Sequence, residues 1–221
     1  RGIAGHSSST DGFISGGDGT SNIINKFSFS SNTTASDHGD LVQNIQYPAG
    51  QSSTTHGFSS GGYTGSSSQN TIEKFAFSSN TTASDHGDIT VARSGLVGHS
   101  SENYGFISAG HDGSSYRNTI DKFAYSSNTT SSDHGDLAYS KYQPAGLSSS
   151  DNGFTAAGGE PYVDTINKFS FASNTTASDW GNLTISRQSR TGSSSTTDGF
   201  VSAGYWPDSN VIDKFSFTSS S

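Results

Sequence analysis

The chain has 221 residues, 29% of them hydrophobic and only 14% charged, with a formal net charge of −8. Aliphatic residues are sparse, yet 14 Phe and 9 Tyr recur at regular spacing, which speaks against a disordered chain and for a fold with many thin cores. The acidic balance argues against nucleic acid as a partner, because binding phosphates needs clustered Lys and Arg.

In chain order, the first predicted element is a short strand of small and polar residues, Ala4-Gly5-His6-Ser7-Ser8. Residues 12–17, Gly-Phe-Ile-Ser-Gly-Gly, read as the second. The third, residues 24–29, alternates with period 2: Ile24, Lys26 and Ser28 share one face, and Asn25, Phe27 and Phe29 the other. After the turn Ser-Asn-Thr-Thr-Ala-Ser a fourth strand is expected at Asp37-His38-Gly39-Asp40-Leu41. The phrase then returns along the whole chain. Gly-Phe recurs at 12–13, 57–58, 105–106, 153–154 and 199–200, and Lys-Phe begins at Lys26, Lys74, Lys122, Lys168 and Lys214, in steps of 48, 48, 46 and 46 residues. No segment of helical period interrupts these units.

Four antiparallel strands repeated five times at this spacing predict an all-β fold, a five-bladed β-propeller of four-stranded blades, as one domain over residues 1–221. The units run approximately over 1–45, 46–93, 94–141, 142–187 and 188–221. The last unit stops after its third strand, so the last blade lacks its outer strand and offers an open edge to another chain. Five units that close alone and five units of a larger ring or array are both compatible with the pattern.

Each unit resembles a kelch repeat, which carries a double Gly on its second strand, an aromatic on the third and a Trp on the fourth. Gly16-Gly17, Gly61-Gly62 and Gly158-Gly159 match the double Gly, and Ala109-Gly110 and Ala203-Gly204 depart from it on one side. Phe29, Phe77, Tyr125, Phe171 and Phe217 fall near the third-strand aromatic; Trp180 falls at the Trp place, which His38, His86 and His134 take in other units. The wording Ser-Asn-Thr-Thr-Ala-Ser-Asp and Ile-Asp-Lys-Phe is also similar to kelch-like repeat proteins of marine phages and large aquatic viruses. That resemblance implies a virion or extracellular setting.

Absence of Cys excludes disulfides, thiolate metal sites and cysteine nucleophiles. No apolar run approaches the roughly 20 residues that cross a bilayer. The tetrads beginning at Asp37, Asp85 and Asp133 combine carboxylates with imidazole, but recurrence in every blade spreads them around a circle, so a packing position with a turn-stabilising Asp is the better reading. Neither a metal nor another cofactor is expected. No Gly-x-Ser-x-Gly elbow accompanies the abundant Ser, His and Asp, and the chain reads as non-enzymatic. Asn-Thr-Thr at Asn32, Asn80, Asn128 and Asn174 reads either as glycosylation acceptor or as polar hairpin turn. The recurring Lys and the acid or amide before it, Asn25, Glu73, Asp121, Asn167 and Asp213, read as a ladder of blade contacts.

Where the units differ lies the functional signal. The segments after the double Gly vary and all emerge on one face, bringing Tyr63, His111, Tyr116, Arg117, Tyr162, Tyr205 and Trp206 to exposed loops as candidate ligand-binding residues. Aromatics beside Asp and Arg suit stacking on sugar rings and bonding their hydroxyls. A second variable set, Asp11, His56, Tyr104, Asn152 and Asp198, is placed on the opposite face. Two functions follow: a binding module for a glycan or cell-surface ligand, or an architectural building block, natural or designed, that assembles through its open edge.

Overall fold

Residues 2–19, 21–159, 162–187, 191–205 and 208–220 are described by a computed structural model. The described residues form strands and turns and no helix. Blade one holds β1 (Ala4–Ser7), β2 (Asp11–Ser15), β3 (Ser21–Ser28) and β4 (Ser36–Ile45). Blade two holds β5 (Ala49–Ser52), β6 (His56–Ser60), β7 (Thr71–Ala76) and β8 (Ser84–Asp88). Blade three holds β9 (Val97–Ser100), β10 (Tyr104–Ser108), β11 (Thr119–Ala124) and β12 (Ser132–Asp136). Blade four holds β13 (Ala145–Ser148), β14 (Asn152–Gly158), β15 (Val163–Ser170) and β16 (Ser178–Asn182). Blade five has β17 (Thr191–Ser194), β18 (Asp198–Ser202) and β19 (Ile212–Ser216) only. Each strand pairs antiparallel with its sequence neighbour, inner strand first, in five separate sheets of a propeller.

Local chemistry sets the turns. Ser8 Oγ accepts from the backbone N–H of Thr10 and Asp11, closing the first hairpin, and Ser53, Ser101, Ser149 and Ser195 repeat the device. On the outer strand, Asp37 Oδ1 accepts from Gly39 N–H at 3.1 Å, and Asp85, Asp133 and Asp179 do the same. The Gly that follows has positive φ, and the ladder to the third strand shifts register there. This is the structural role of the Asp-rich tetrads; among the described residues no three metal-ligating side chains cluster. The Gly of each Gly-Phe lies beneath the third-strand Phe: an added Cβ at Gly57 would sit 2.3 Å from Phe75 Cζ. The two recurring dipeptides are thus one cross-strand contact.

One sequence match needs correction. In blade four the double-Gly position is Ala157-Gly158, one residue earlier than expected, with φ of 56° and 135° against 71° and 137° at Gly16-Gly17. Ala109-Gly110 and Ala203-Gly204 adopt the same pair of left-handed angles. Three of five units therefore hold an Ala in a region L-residues disfavour, and Gly159 belongs to the loop with Tyr63 and His111.

Four joints between successive blades are built alike. The inner strands approach so closely that an added Cβ at Gly50, Gly98, Gly146 or Gly192 would lie 2.0–2.7 Å from the carbonyl oxygen of the preceding blade's Gly. Behind them, Phe13, Phe58, Phe106 and Phe154 stack on Phe77, Tyr125, Phe171 and Phe217 of the next blade, with centroids 4.5–4.8 Å apart. At the rim, His38, His86 and His134 donate Nε2–H to a third-strand carbonyl of the next blade at 2.8–3.0 Å, and Trp180 donates Nε1–H to Ser216 at 2.9 Å. Imidazole and indole are alternatives here because both present a ring N–H to one acceptor. The Asn-Thr-Thr turns clip across the joint as well: Asn128 and Asn174 Nδ2 donate to the carbonyls of Asp85 and Asp133.

In three of the four joints the acid before the recurring Lys is the buried polar contact. Glu73 accepts from Val42 N–H at 2.6 Å, Asp121 from Thr90 and from Arg93 at 3.0 Å, and Asp213 from Thr184 and from Arg187 at 2.6 Å. Where the acid becomes Asn167, the buried cation is Lys141, bonded to the carbonyl and hydroxyl of Thr165. Glu73 has Ile45 in the cation's place, and burial pushes its carboxyl up from the ordinary range.

Blades five and one do not meet in this way. An added Cβ at Gly5 finds nothing within 4 Å, and Phe27 and Phe29 are 38% and 57% exposed.

Candidate functional site

The antiparallel order brings the second-to-third strand loops to the same face as the segments leading into the inner strands. These segments hold one another in a row. Tyr47 N–H donates to Gly2 carbonyl, Gly95 N–H to Tyr47 carbonyl and Gln143 N–H to Gly95 carbonyl, at 2.7–3.1 Å. All four residues have φ between 48° and 67°, so Tyr47 and Gln143 carry side chains on left-handed backbone. Each segment also pairs with a loop: Gln46 bridges Tyr63, Ser94 bridges His111, and Tyr142 bridges Gly159.

At the joint of blades three and four this produces an aromatic cluster. The rings of His111 and Tyr116 lie 4.8 Å apart, His111 and Tyr142 6.1 Å, and Tyr116 and Tyr142 5.7 Å. All three are half-buried, and burial, with Tyr47 nearby, raises the Tyr142 hydroxyl above its ordinary range. An added Cβ at Gly95 would strike the Tyr142 ring, so the glycine makes room for it. Gly113 N–H donates to His111 Nδ1 at 3.1 Å, which leaves the neutral ring's proton on Nε2.

The rim of the cluster is a fixed charge pair. Asp112 Oδ1 accepts from Ser114 N–H at 2.8 Å, Ser114 Oγ at 2.9 Å and Ser115 N–H at 2.7 Å. Oδ2 accepts from Arg117, with Nε at 2.7 Å. The loop N–H donors, then the Ser114 hydroxyl and Arg117, hold the carboxyl far below its ordinary range. Rings with polar, oriented edges beside an anchored ion pair can stack on an apolar sugar face while bonding its hydroxyls.

The expected ligand-binding residues thus divide. His111, Tyr116 and Arg117 meet around blade three's loop, Tyr63 pairs with Gln46 next along the face, and Tyr162 and Tyr205 stand exposed on the loops of blades four and five. Trp206 lies outside the described residues. Tyr142 and Tyr47, which the sequence reading passed over, sit in the phrases Tyr-Gln-Pro-Ala-Gly and Gln-Tyr-Pro-Ala-Gly; Pro after a short aromatic segment was the available signal for an ordered turn.

On the opposite face, three members of the second variable set engage the recurring Lys of their own blade. Asp11 and Asp198 pair with Lys26 and Lys214 at 3.4 and 3.3 Å, and Lys122 sits 4.1 Å from the Tyr104 ring centre. The Lys ladder therefore stays within each blade, and the acid before it crosses to the preceding one.

No family model matches the chain, and no curated protein is similar to it in sequence. Among solved structures, that of YjhT superimposes with a TM-score of 0.79 at 11% identity, covering 92% of this chain and 72% of YjhT. This likeness shows a propeller fold and nothing finer.

Proposed function

We propose that the protein is a non-enzymatic binding module that recognises a glycan or similar polyhydroxylated ligand on the face built by the variable loops. The single observation that carries this is the His111, Tyr116 and Tyr142 cluster beside the Asp112 to Arg117 pair. Among the described residues only the joint of blades three and four combines these groups, so the reading is one well-formed subsite with weaker contributions from Tyr63, Tyr162 and Tyr205 around the rim. Wording similar to kelch-like viral proteins suits a host-surface role on a virion or outside the cell. Selective retention on a glycan array, lost in both Tyr116→Ala and Tyr142→Ala, is the expected result. No retention, or retention unchanged by both substitutions, rejects it.

An architectural role is the second reading, and one observation favours it: aromatic surface on blade one that its counterparts elsewhere bury.

A further inference from the structure

Blades one and five leave opposite halves of a joint uncovered. Phe27 and Phe29 are exposed where their counterparts Phe75 and Phe77 are 2% and 8% exposed. Across the gap Ile212 is 66% exposed, whereas Ile24, Ile72, Ile120 and Ile166 are fully buried. A cavity of about 960 Å3 runs from the channel onto this surface, with Gly5, Phe27 and Phe29 on one wall and Gly192 on another.

We propose that this gap is a docking surface for one further blade of the same repeat. The four observed joints define what must sit there. Against Phe27 and Phe29 the occupant presents a second-strand Phe and a fourth-strand imidazole or indole N–H for the Ser28 carbonyl, as Phe13 and His38 do for Phe77 and Ala76. Against Ile212 it presents a pair of third-strand aromatics, as Phe75 and Phe77 do for Ile24. Beside β19 it adds the outer strand that completes a four-stranded sheet. One blade carries both faces at once, as blades two, three and four do here. Stability in such arrays is a sum of neighbour contacts, so filling the gap adds two joints where there were none.

The probe is a polypeptide with the sequence of residues 84–141, which supplies an outer strand, a whole blade and its Arg93 to Asp121 pair. It ends on Lys141 because Asn25 repeats Asn167, the residue whose joint carries that cation. Mixed with the full chain, it is expected to form a one-to-one complex by sedimentation and to protect the exposed Phe27 and Phe29 rings from hydroxyl-radical oxidation. The double substitution Phe27→Asp, Phe29→Asp lowers the affinity at least about tenfold, and Ile212→Asp, on the other wall, does so independently. Both sites are exposed, so the variants fold. Four results overturn the proposal: no complex; a complex indifferent to both variants; self-association of the chain that buries these faces; or Phe27 and Phe29 rings as protected from hydroxyl radicals in the monomer as those of Phe75 and Phe77, which would mean that the ring shuts on itself.

Discussion

Phe75 and Phe27 hold the same place in successive blades, each over the Gly of its own second strand, yet one is sealed by a neighbouring sheet and the other faces solvent. Residue type and local structure are the same in both. Burial here belongs to the joint, and a joint needs two blades.

The widest expected separation is between Phe75→Ala and Phe27→Ala. Truncating Phe75 removes a ring buried against Phe13 and costs about 3–5 kcal/mol, whereas Phe27→Ala costs less than about 2 kcal/mol; chemical denaturation measures both. Equal losses would mean that blade one's face is covered in solution. A pH titration probes the closed joints next. Nδ1–H of His6 and His99 donates to the carbonyls of Gln51 and Leu147, Nε2 accepts from Ser15 and Ser108, and burial lowers both pKa values to about 4. Above the ordinary value of 6.5 both folded and unfolded states are neutral. As pH falls from 6.5 toward 4 the unfolded chain takes up protons first, so stability drops by as much as about 3 kcal/mol for each histidine. His99→Gln, which copies Gln51 of blade two, should remove its share of that slope in thermal melts across this window.

The glycine row gives a sharper contrast at smaller cost. Gly98→Ala places a methyl 2.0 Å from the Gly50 carbonyl oxygen and is expected to cost about 1–3 kcal/mol, while Gly5→Ala enters open space and stays within about 0.5 kcal/mol of the parent. Smallest is the rim. Trp180→Phe loses the bond to Ser216 and costs about 1 kcal/mol, and Trp180→His should recover most of it by restoring the ring N–H that His134 uses one blade earlier. If Trp180→His melts no higher than Trp180→Phe, the ring N–H is not what the position conserves between blades.

Much of this architecture was legible in the repeat. The spacing of Lys-Phe gave blade number, and period-2 alternation placed Phe27 and Phe29 on the face away from Ile24. The shift at Ala157 escaped because Gly158-Gly159 offered a better match to the motif than the residues that adopt its angles. Tyr142 escaped because ring contacts across a joint join residues 26 to 31 positions apart, a separation that loop variation alone does not mark. The uncovered joint was least legible of all, since a repeat writes every blade as though it had two neighbours; only the missing outer strand of the last unit hinted at an edge.

The direction of the rim bonds also sets an order in time. His38, His86, His134 and Trp180 each reach forward, to an acceptor 36 or 38 residues later in the chain. On a ribosome, each blade therefore waits for the third strand of its successor, a delay of roughly 2–8 s at ordinary elongation rates. During that interval the newest blade exposes its second-strand Phe, and the surface most in need of shielding travels along the chain with synthesis.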